Sequence, residues 1–253
     1  MSEVVCRLIR DNFQNFKSYT IPKAQLVIAD IPYNIGTEFY ASRPDWYVDG
    51  DNRNGESNKA GKAAFHTDYS LNIAEFFHFC NRLLKKEPKT GEKDAPCMVV
   101  FCSFQQIPQV IEQAEKYGFK NHIPLVFCKN YSPQVLKANM KIVGATEYAL
   151  VLYRGKLPKF RNTDADGKHH MIFNWFDWKR DGKEYPKIHP SQKPVGVVRR
   201  LIEIFTDPGD VVIDPCAGSG STLRAARELG RHSYGFEVSR EFYKLATEQM
   251  LGV

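Results

Sequence analysis

The amino-acid sequence predicts an α/β domain in which a mainly parallel sheet is covered by helices on both faces. Three observations favour this class. Short apolar runs typical of buried strands alternate along the chain with segments of helical periodicity. From residue 195 to residue 250 the alternation is complete, with helix, strand, glycine-rich turn, helix, strand and helix in succession. At 253 residues, the chain is long enough to bury a sizeable core as one large domain.

Composition narrows the classes of protein without choosing one. The chain is 43% hydrophobic and 25% charged, as globular proteins usually are, and its net charge is +6. A mildly basic protein can bind a polyanion but need not. The six cysteines are scattered, without the paired Cys-x-x-Cys spacing of a zinc or redox site, so we expect reduced thiols and no metal. No apolar stretch could span a membrane, which favours a cytoplasmic protein.

The first half of the chain begins with two predicted strands. Weak alternation over residues 4–9 predicts the first, which ends just before Asp11. The apolar run 26–29 predicts a second, fully buried strand that stops at Asp30 and is followed by a proline and Tyr33. An acid at the carboxyl end of a buried strand lies where open α/β sheets bind their ligands. Taken alone, however, these residues favour a plain strand end with Tyr33 packed on its rim.

A long polar stretch, residues 36–70, follows the second strand. It has no periodicity, and a loop of this length inside a compact domain is usually functional or disordered. Aromatic residues at its flanks slightly favour function. Beyond it, periodicity predicts helices over residues 71–85 and 107–117 and strands over residues 96–104, 125–128 and 146–153.

Residues 154–187 have a different character, since nine lysine or arginine residues stand there against five acids, with six aromatic residues interleaved. Cations that contact phosphates and rings that stack on bases suit a nucleic acid. The alternative is a small satellite cluster whose aromatics form a core of their own and whose charges are solvated. The two interpretations are compatible, because a module with its own core can still present lysines.

The C-terminal part carries a glycine-rich turn between a predicted strand, residues 211–213, and a helix. Gly218 and Gly220 would let a ligand approach the backbone closely. The turn lacks the Gly-Lys-Ser/Thr of a phosphate-binding loop and the third glycine of the dinucleotide fingerprint. Glu237 ends the next predicted strand, where an acid can accept hydrogen bonds from ribose hydroxyls. These residues predict a nucleoside-containing cofactor, and a dinucleotide remains the competing interpretation.

Several short motifs resemble those of one known family. Ser-Gln-Lys-Pro at 191–194, Pro-Gly-Asp at 208–210, Asp-Pro-Cys-Ala-Gly-Ser-Gly-Ser-Thr at 214–222 and Gly-Phe-Glu at 235–237 are similar to the cofactor-binding half of the amino-methylating DNA methyltransferases. Asp-Ile-Pro-Tyr at 30–33 resembles their catalytic Asp-Pro-Pro-Tyr motif. The order, with the catalytic motif first and the cofactor motif last, resembles the beta group of the family, and the resemblance extends over nearly the whole chain.

This resemblance implies a Rossmann-like S-adenosylmethionine-dependent methyltransferase fold in three parts. Residues 1–153 would form the catalytic half, residues 154–187 an inserted target-recognition region, and residues 188–253 the cofactor-binding half. The loop 36–70 would close over DNA or a partner subunit. Double-stranded DNA is the implied substrate, a homodimer is plausible from the family, and a bacterial or phage restriction–modification setting is the implied context.

The resemblance also implies the chemistry of the catalytic motif. A methyl group moves to the exocyclic amino nitrogen of a base, a poor nucleophile whose lone pair is delocalised into the ring. Asp30 and the Ile31 carbonyl would accept its two hydrogens, Tyr33 would stack on the base, and the base would be flipped out of the duplex. Ile31 stands where the family has its first proline. Because isoleucine also has a carbonyl and precedes Pro32, which favours an extended backbone, we predict that activity is retained.

The implied cofactor is S-adenosylmethionine. Glu237 would hold its ribose, Asp214 would lie beside its methionine portion, and Asp11 would face its adenine. The full implied set of cofactor-binding residues is Asp11, Asp30, Ser191, Gln192, Lys193, Asp214, Pro215, Ala217, Gly218, Ser219, Gly220, Ser221, Thr222 and Glu237.

Other activities remain open at this point. Cytosine N4 is the first alternative to adenine N6, but enzymes acting on cytosine more often carry serine where Asp30 stands. RNA is a lesser variant of the substrate. A C5-cytosine enzyme is disfavoured because Cys97 leads into an apolar strand. A nicotinamide-dependent oxidoreductase would leave residues 30–33 and the basic segment unexplained, and a DNA-binding protein with a relic cofactor pocket is the third alternative.

Overall fold

The computed structural model describes residues 3–33, 71–89, 93–130, 134–137, 142–164, 166–189 and 191–252. The predicted loop 36–70 lies outside the described residues. The strands are β1 Cys6–Ile9, β2 Leu26–Asp30, β3 Cys97–Cys102, β4 Asn121–Lys129, β5 Gln134–Lys137, β6 Ile142–Gly144, β7 Thr146–Tyr153, β8 Trp175–Trp178, β9 Val211–Asp214 and β10 His232–Phe236. The helices are α1 Ile73–Leu83, α2 Ile107–Lys116, α3 Val195–Phe205, α4 Ser221–Glu228 and α5 Arg240–Leu245, which continues as a π-helical stretch over Ala246–Leu251.

Eight of these strands form one sheet in the order β1-β10-β9-β2-β3-β7-β4-β8. The neighbours from β1 to β3 are all parallel, and β8 is parallel to β4. Strand β7 is antiparallel to both β3 and β4. Between β4 and β7 the described chain forms the separate antiparallel pair β5-β6. Because β4 and β7 are themselves antiparallel, the chain that joins them needs no crossover helix, unlike a connection between parallel strands. The prediction of a mainly parallel sheet is confirmed.

Helices cover both faces of the sheet because its central strands are apolar on both sides. In β2, Val27 and Ala29 belong to a core cluster with α1 and α2, whereas Leu26 and Ile28 belong to a second cluster with α3 and α4. This alternation follows the two-residue period of a strand. Helix α1 begins where the Asn72 side chain accepts hydrogen bonds from two backbone N–H groups of the first turn.

The segment 154–187 contributes to the main fold. Its residues Trp175–Trp178 form β8 at the sheet edge, a strand that the sequence does not predict. Phe176 stacks on Phe127 of β4 with ring centroids 5.3 Å apart, and Trp178 is buried in the α3–α4 cluster. These two aromatics therefore pack on the core of the domain and do not form a core of their own. None of the helices that the structure describes is long and apolar enough to cross a membrane.

Candidate active site

Three carboxyl groups meet at one edge of the sheet. Asp30 ends β2, Asp214 ends β9, and Glu237 directly follows β10. Because β10, β9 and β2 are adjacent and parallel, their carboxyl ends lie side by side, which is the edge where open α/β sheets bind ligands.

The Asp30 carboxylate makes one strong contact. Lys193 Nζ lies 2.7 Å from its Oδ2 atom. The other oxygen, Oδ1, is buried and has no hydrogen-bond partner among the described residues. Burial raises the pKa of Asp30, and the Lys193 ammonium opposes that rise. An acceptor atom that is shielded from water and left without a donor is a candidate contact for a bound ligand.

Tyr33 and Glu147 extend this contact into a cluster. The Tyr33 hydroxyl donates to Glu147 Oε2 over 2.5 Å, and Lys129 Nζ donates to Glu147 Oε1 over 2.5 Å. Lys193 Nζ lies 3.8 Å from Glu147 Oε2. Burial opposes the ionisation of Glu147, but Lys193 and Lys129 outweigh it and lower its pKa to about 2. Burial raises the pKa of Tyr33, so its hydroxyl stays protonated as a donor.

The backbone of the motif is held on both sides. Ile31 N–H donates to the Phe101 carbonyl of β3 over 3.2 Å, and the Gln106 side chain donates to the Pro32 carbonyl over 2.9 Å. Gln106 is itself fixed by the backbone N–H of Ser103 at 3.1 Å. The Ile31 side chain is buried in the core cluster on the α1 side. Isoleucine at this position therefore serves as a core residue.

The glycine-rich turn is closed by Glu237. Gly218 and Gly220 have φ angles of +49° and +78°, which glycine adopts without strain. Gly218 N–H donates to Glu237 Oε2 over 2.9 Å, and Ser239 N–H donates to Oε1 over 2.6 Å. Asp214 Oδ1 accepts from the N–H of Cys216 at 3.0 Å, and burial raises the pKa of Asp214 to about 7. The rest of the turn, Pro215, Ala217, Ser219, Ser221 and Thr222, is buried around these groups.

The predicted cofactor residues 191–193 have distinct environments. The Ser191 hydroxyl lies 3.1 Å from His189 Nδ1, and the Gln192 side chain bonds the backbone of Pro186 and Ile188. Both side chains thus stabilise their own turn. Lys193 instead points to Asp30 and Glu147, which outweigh the effect of burial and raise its pKa.

Asp11 lies at the end of β1, beyond β10. Its Oδ1 accepts from Asn12 N–H and from the Asn15 amide, each at 2.7 Å, and its Oδ2 accepts from the Tyr19 hydroxyl at 2.7 Å. These hydrogen bonds lower the pKa of Asp11. Its side chain is therefore held by its own turn, and its predicted contact with adenine stays a prediction.

Comparison with known proteins identifies the family. Residues 24–248 match the model of the family described as DNA methylase, which comprises N6- and N4-methylating enzymes. The chain belongs to this family. It is 26% identical over 257 residues to the DNA adenine methyltransferase YhdJ of Escherichia coli (strain K12), a match that covers 95% of the chain and 80% of YhdJ. Membership sets aside the oxidoreductase interpretation.

Solved structures agree on the fold. The structure of the M1.HpyAVI–SAM complex superposes with a TM-score of 0.65 at 20% identity, covering 96% of this chain and 97% of the other. The cytosine-N4-specific PvuII DNA methyltransferase superposes with a TM-score of 0.63 at 17% identity, covering 97% and 88%. The predicted Rossmann-like methyltransferase fold is confirmed.

The basic segment 154–187 of this DNA methylase is divided between two ends of the sheet. Lys159 Nζ lies 2.6 Å from Asp210 and 2.7 Å from Asp207, and Arg161 pairs with Asp207 and Asp94. Asp210 precedes β9, so these pairs lie at the edge opposite Asp30. In contrast, β8 ends at the same edge as Asp30, and the exposed Lys179 directly follows its last residue, Trp178. Lys183 and Lys187, further along the chain, are also exposed.

Two members of the Asp30 cluster escape prediction from sequence. Glu147 lies 114 positions from Tyr33, and Lys129 lies 18 positions from Glu147. The sequence offers one indication of their role: Lys129 ends a strand, and Glu147 is the second residue of another. Many surface residues share such positions, so this indication alone does not identify them. Among the described residues, no group of three or more His, Cys, Asp or Glu side chains could hold a metal ion.

Proposed function

We propose that this DNA methyltransferase transfers a methyl group to the exocyclic N6 of a flipped-out adenine in double-stranded DNA. The observation that carries the proposal is the Asp30 carboxylate, with its buried and unpartnered Oδ1 at the edge of the sheet beside the glycine-rich turn. A carboxylate suits the role because it can accept a hydrogen from the amino group and return electron density to its nitrogen. The likeness to YhdJ, an adenine methyltransferase, supports adenine as the target.

S-adenosylmethionine is the cofactor, and it supplies an electrophilic methyl group carried on a sulfonium cation. The residues at this edge fit such a cofactor, because Asp30 and Asp214 end neighbouring strands beside the glycine-rich turn, and Glu237 follows the next strand, where an acid can accept hydrogen bonds from ribose hydroxyls. The Gly218–Gly220 turn suits the nucleoside portion, because both glycines have positive φ angles and leave the backbone of the turn without a side chain at these positions. Glu237 would hold the ribose, and Asp214 would lie near the methionine portion.

In the transfer, the chain mainly orients and polarises the amino group. Asp30 Oδ1 and the Ile31 carbonyl would accept its two hydrogens, while the Tyr33 ring stacks on the base. Methylation replaces one amino hydrogen, and Asp30 Oδ1 is the buried acceptor for the proton that is released. No covalent link between enzyme and base is required. The hydrogen bond that the Ile31 N–H donates to the Phe101 carbonyl, and the one that the Pro32 carbonyl accepts from Gln106, keep this stretch in place without the first proline.

The exposed cations that follow β8 support a DNA-binding role for the second part of the predicted target-recognition region. Lys179 follows directly on Trp178, which pairs in register with Lys129 of the Asp30 cluster. Lysines at this edge can neutralise phosphates on either side of a base that enters the site. Lys159 and Arg161 would contribute to stability instead, since both are engaged by acids at the opposite edge.

The test is to express the protein in a bacterial host that lacks its own DNA methylation and to identify modified bases in host DNA by single-molecule sequencing. We expect N6-methyladenine within a short recurring sequence. The Asp30→Ala variant should leave host DNA unmethylated, with a loss of about 10²–10³-fold in the rate in vitro. It should still bind duplex DNA containing that sequence. N4-methylcytosine would show that the target is cytosine, and binding of S-adenosylmethionine without methylation of any DNA would refute the proposal.

A further inference from the structure

A buried ion cluster lies behind the Asp30 carboxylate. Two carboxylates, two ammonium groups and one phenol come together from β2, β4, β7 and the segment before α3. Glu147 is the hub, since one oxygen accepts from Lys129 and the other accepts from Tyr33. Lys193 bridges the two carboxylates at 2.7 Å from Asp30 and 3.8 Å from Glu147. The side chains of Lys129 and Lys193 are each only 9% exposed.

Such a cluster is costly to build. Each buried charge loses its hydration, and a well-packed apolar group of the same size often gives equal or greater stability. The cluster contains two positive and two negative charges, so it is neutral as a whole. Its other three charges are nevertheless grouped beside Asp30, the one carboxylate that the reaction uses. Stability alone therefore gives no reason for placing Lys129 and Glu147 there.

The contacts have a geometric consequence at Asp30. Lys193 engages Oδ2 and leaves Oδ1 without a partner among the described residues. Lys193 is in turn enclosed by the rings of Tyr33, Phe101 and Trp178, with centroids 5.4, 5.4 and 5.7 Å from Nζ. Lys193 Nζ also lies 3.4 Å from the Tyr33 hydroxyl oxygen. The ammonium thus has little freedom to leave Oδ2 for Oδ1.

We propose that Glu147 and Lys129 are positioning residues for methyl transfer, holding Tyr33 and Lys193 so that Asp30 presents Oδ1 to the amino group. This inference rests on the proposed function, because it assumes that Asp30 receives the amino hydrogen. Glu147 acts through Tyr33 and Lys193, and Lys129 acts through Glu147. Neither needs to touch the substrate or the cofactor.

The geometry gives an expected size of effect. Glu147→Ala removes the acceptor of the Tyr33 hydroxyl and frees Lys193 on one side, and a displacement of about 1 Å at a reacting group can cost ~10²-fold in rate. Glu147→Gln keeps an oxygen for Tyr33 but loses the charge, so its loss should be intermediate. Lys129→Met should resemble Glu147→Gln, because it leaves the Tyr33 hydrogen bond in place.

The experiment measures single-turnover methyl transfer to a duplex containing the methylated sequence, with S-adenosylmethionine and DNA saturating. The dissociation constant for S-adenosylmethionine is measured separately. The matched control is Glu112→Gln, which alters an exposed carboxylate paired with Lys116 at 2.7 Å on α2. Thermal unfolding checks that each variant is folded. If Glu147→Ala does not fold, the rate of Glu147→Gln decides the test.

A pH profile separates positioning from a purely structural role. The charges that face Asp30 are Lys193, Glu147 and Lys129, with Asp214 on the neighbouring strand. Glu147 raises the pKa of Asp30, so Glu147→Gln should move the acid limb of the single-turnover profile to lower pH. The control variant should leave that limb where it is.

Support would be a slower transfer by roughly 30-fold or more in Glu147→Ala, with the cofactor dissociation constant within about threefold of wild type and an intermediate Glu147→Gln. In a Tyr33→Phe background, Glu147→Gln should cost less than it does alone, because the shared hydrogen bond is already gone. A wild-type rate in the folded Glu147 variants overturns the inference, as does a loss fully explained by weaker cofactor binding. A wild-type protein that methylates no DNA refutes the proposed function itself, and this inference with it.

Discussion

Replacing Lys193 by methionine tests how the charges around Asp30 are balanced. Methionine fills a similar volume but leaves two buried carboxylates against the single charge of Lys129. Breaking a buried pair costs about 3–5 kcal/mol. The Asp30 side chain is 24% exposed and Glu147 keeps Lys129, so we expect a value near the lower limit, about 3 kcal/mol at pH 8.

The cost should depend on pH in a defined direction. Burial already raises the pKa of Asp30 above its unfolded value of about 3.9, and the loss of Lys193 raises it further. A carboxyl group with a raised pKa destabilises the fold where it is ionised. The difference from wild type should therefore be greatest at pH 8 and decrease as the pH falls through the raised pKa towards about 4.

Urea unfolding at pH 8, 6.5 and 5 measures this difference. Lys116→Met is the control, because Lys116 pairs with Glu112 on the surface, and its loss should cost less than about 1 kcal/mol at every pH. Adding Glu147→Gln to Lys193→Met removes the excess negative charge and should recover part of the loss. A cost below about 1 kcal/mol at pH 8, or one that grows as the pH falls, would contradict the assignment of Lys193 as the counter-charge of Asp30.

Two further substitutions test the scaffold. In Gly235→Ala, the new Cβ would lie 2.7 Å from Leu223 Cδ1 and 3.0 Å from the Ala217 Cβ, so differential scanning calorimetry should show a loss of about 1–3 kcal/mol, and calorimetric titration should show weaker S-adenosylmethionine binding as the turn shifts. Unchanged stability and affinity would mean that α4 shifts away from β10 at no cost, and that the close packing of Leu223 on Gly235 is not needed. Lys159→Met should cost about 1–3 kcal/mol in urea unfolding, because it removes a buried cation from Asp210, which keeps Lys85 as a partner, yet the methylation rate of the folded protein should stay at the wild-type value. A fall in that rate would indicate that this edge of the sheet contributes to catalysis.

Local patterns were sufficient for much of the fold. The predicted strands 146–153 and 232–236 and the predicted helix 195–205 coincide with β7, β10 and α3. Strand β7 and helix α3 are long apolar or periodic stretches with a clear stop, so their conformation is decided by neighbours in sequence. Strand β10 is short and is recognised from its place between two predicted helices and from the acid that follows it. The resemblance to the methyltransferase family placed Asp30, Asp214 and Glu237 in one implied cofactor site, and in the structure the three lie at one edge of the sheet.

Features decided by distant contacts escaped prediction. Strand β8 is only four residues long and lacks a clean alternation, and its conformation depends on pairing with β4. The composition of the basic segment predicted a DNA surface, but no local pattern separates Lys159 and Arg161, which pair with acids far along the chain, from the exposed lysines. The pairing of Lys193 with Asp30 likewise joins residues 163 positions apart in the sequence. The Ser-Gln-Lys-Pro motif at 191–194 instead predicted that Lys193 contacts the cofactor.

The strand order has a consequence for synthesis on the ribosome. Strand β1 is translated first, but its one neighbour in the described sheet is β10, residues His232–Phe236. Strand β9, which separates β10 from β2, is also translated late. The nascent chain therefore cannot complete this sheet until β9 and β10 have emerged, and until then the unpaired edges of β1 and β2 are exposed to chaperones or to other chains. The edge where Asp30, Asp214 and Glu237 meet therefore cannot be complete before the two late strands have joined the sheet.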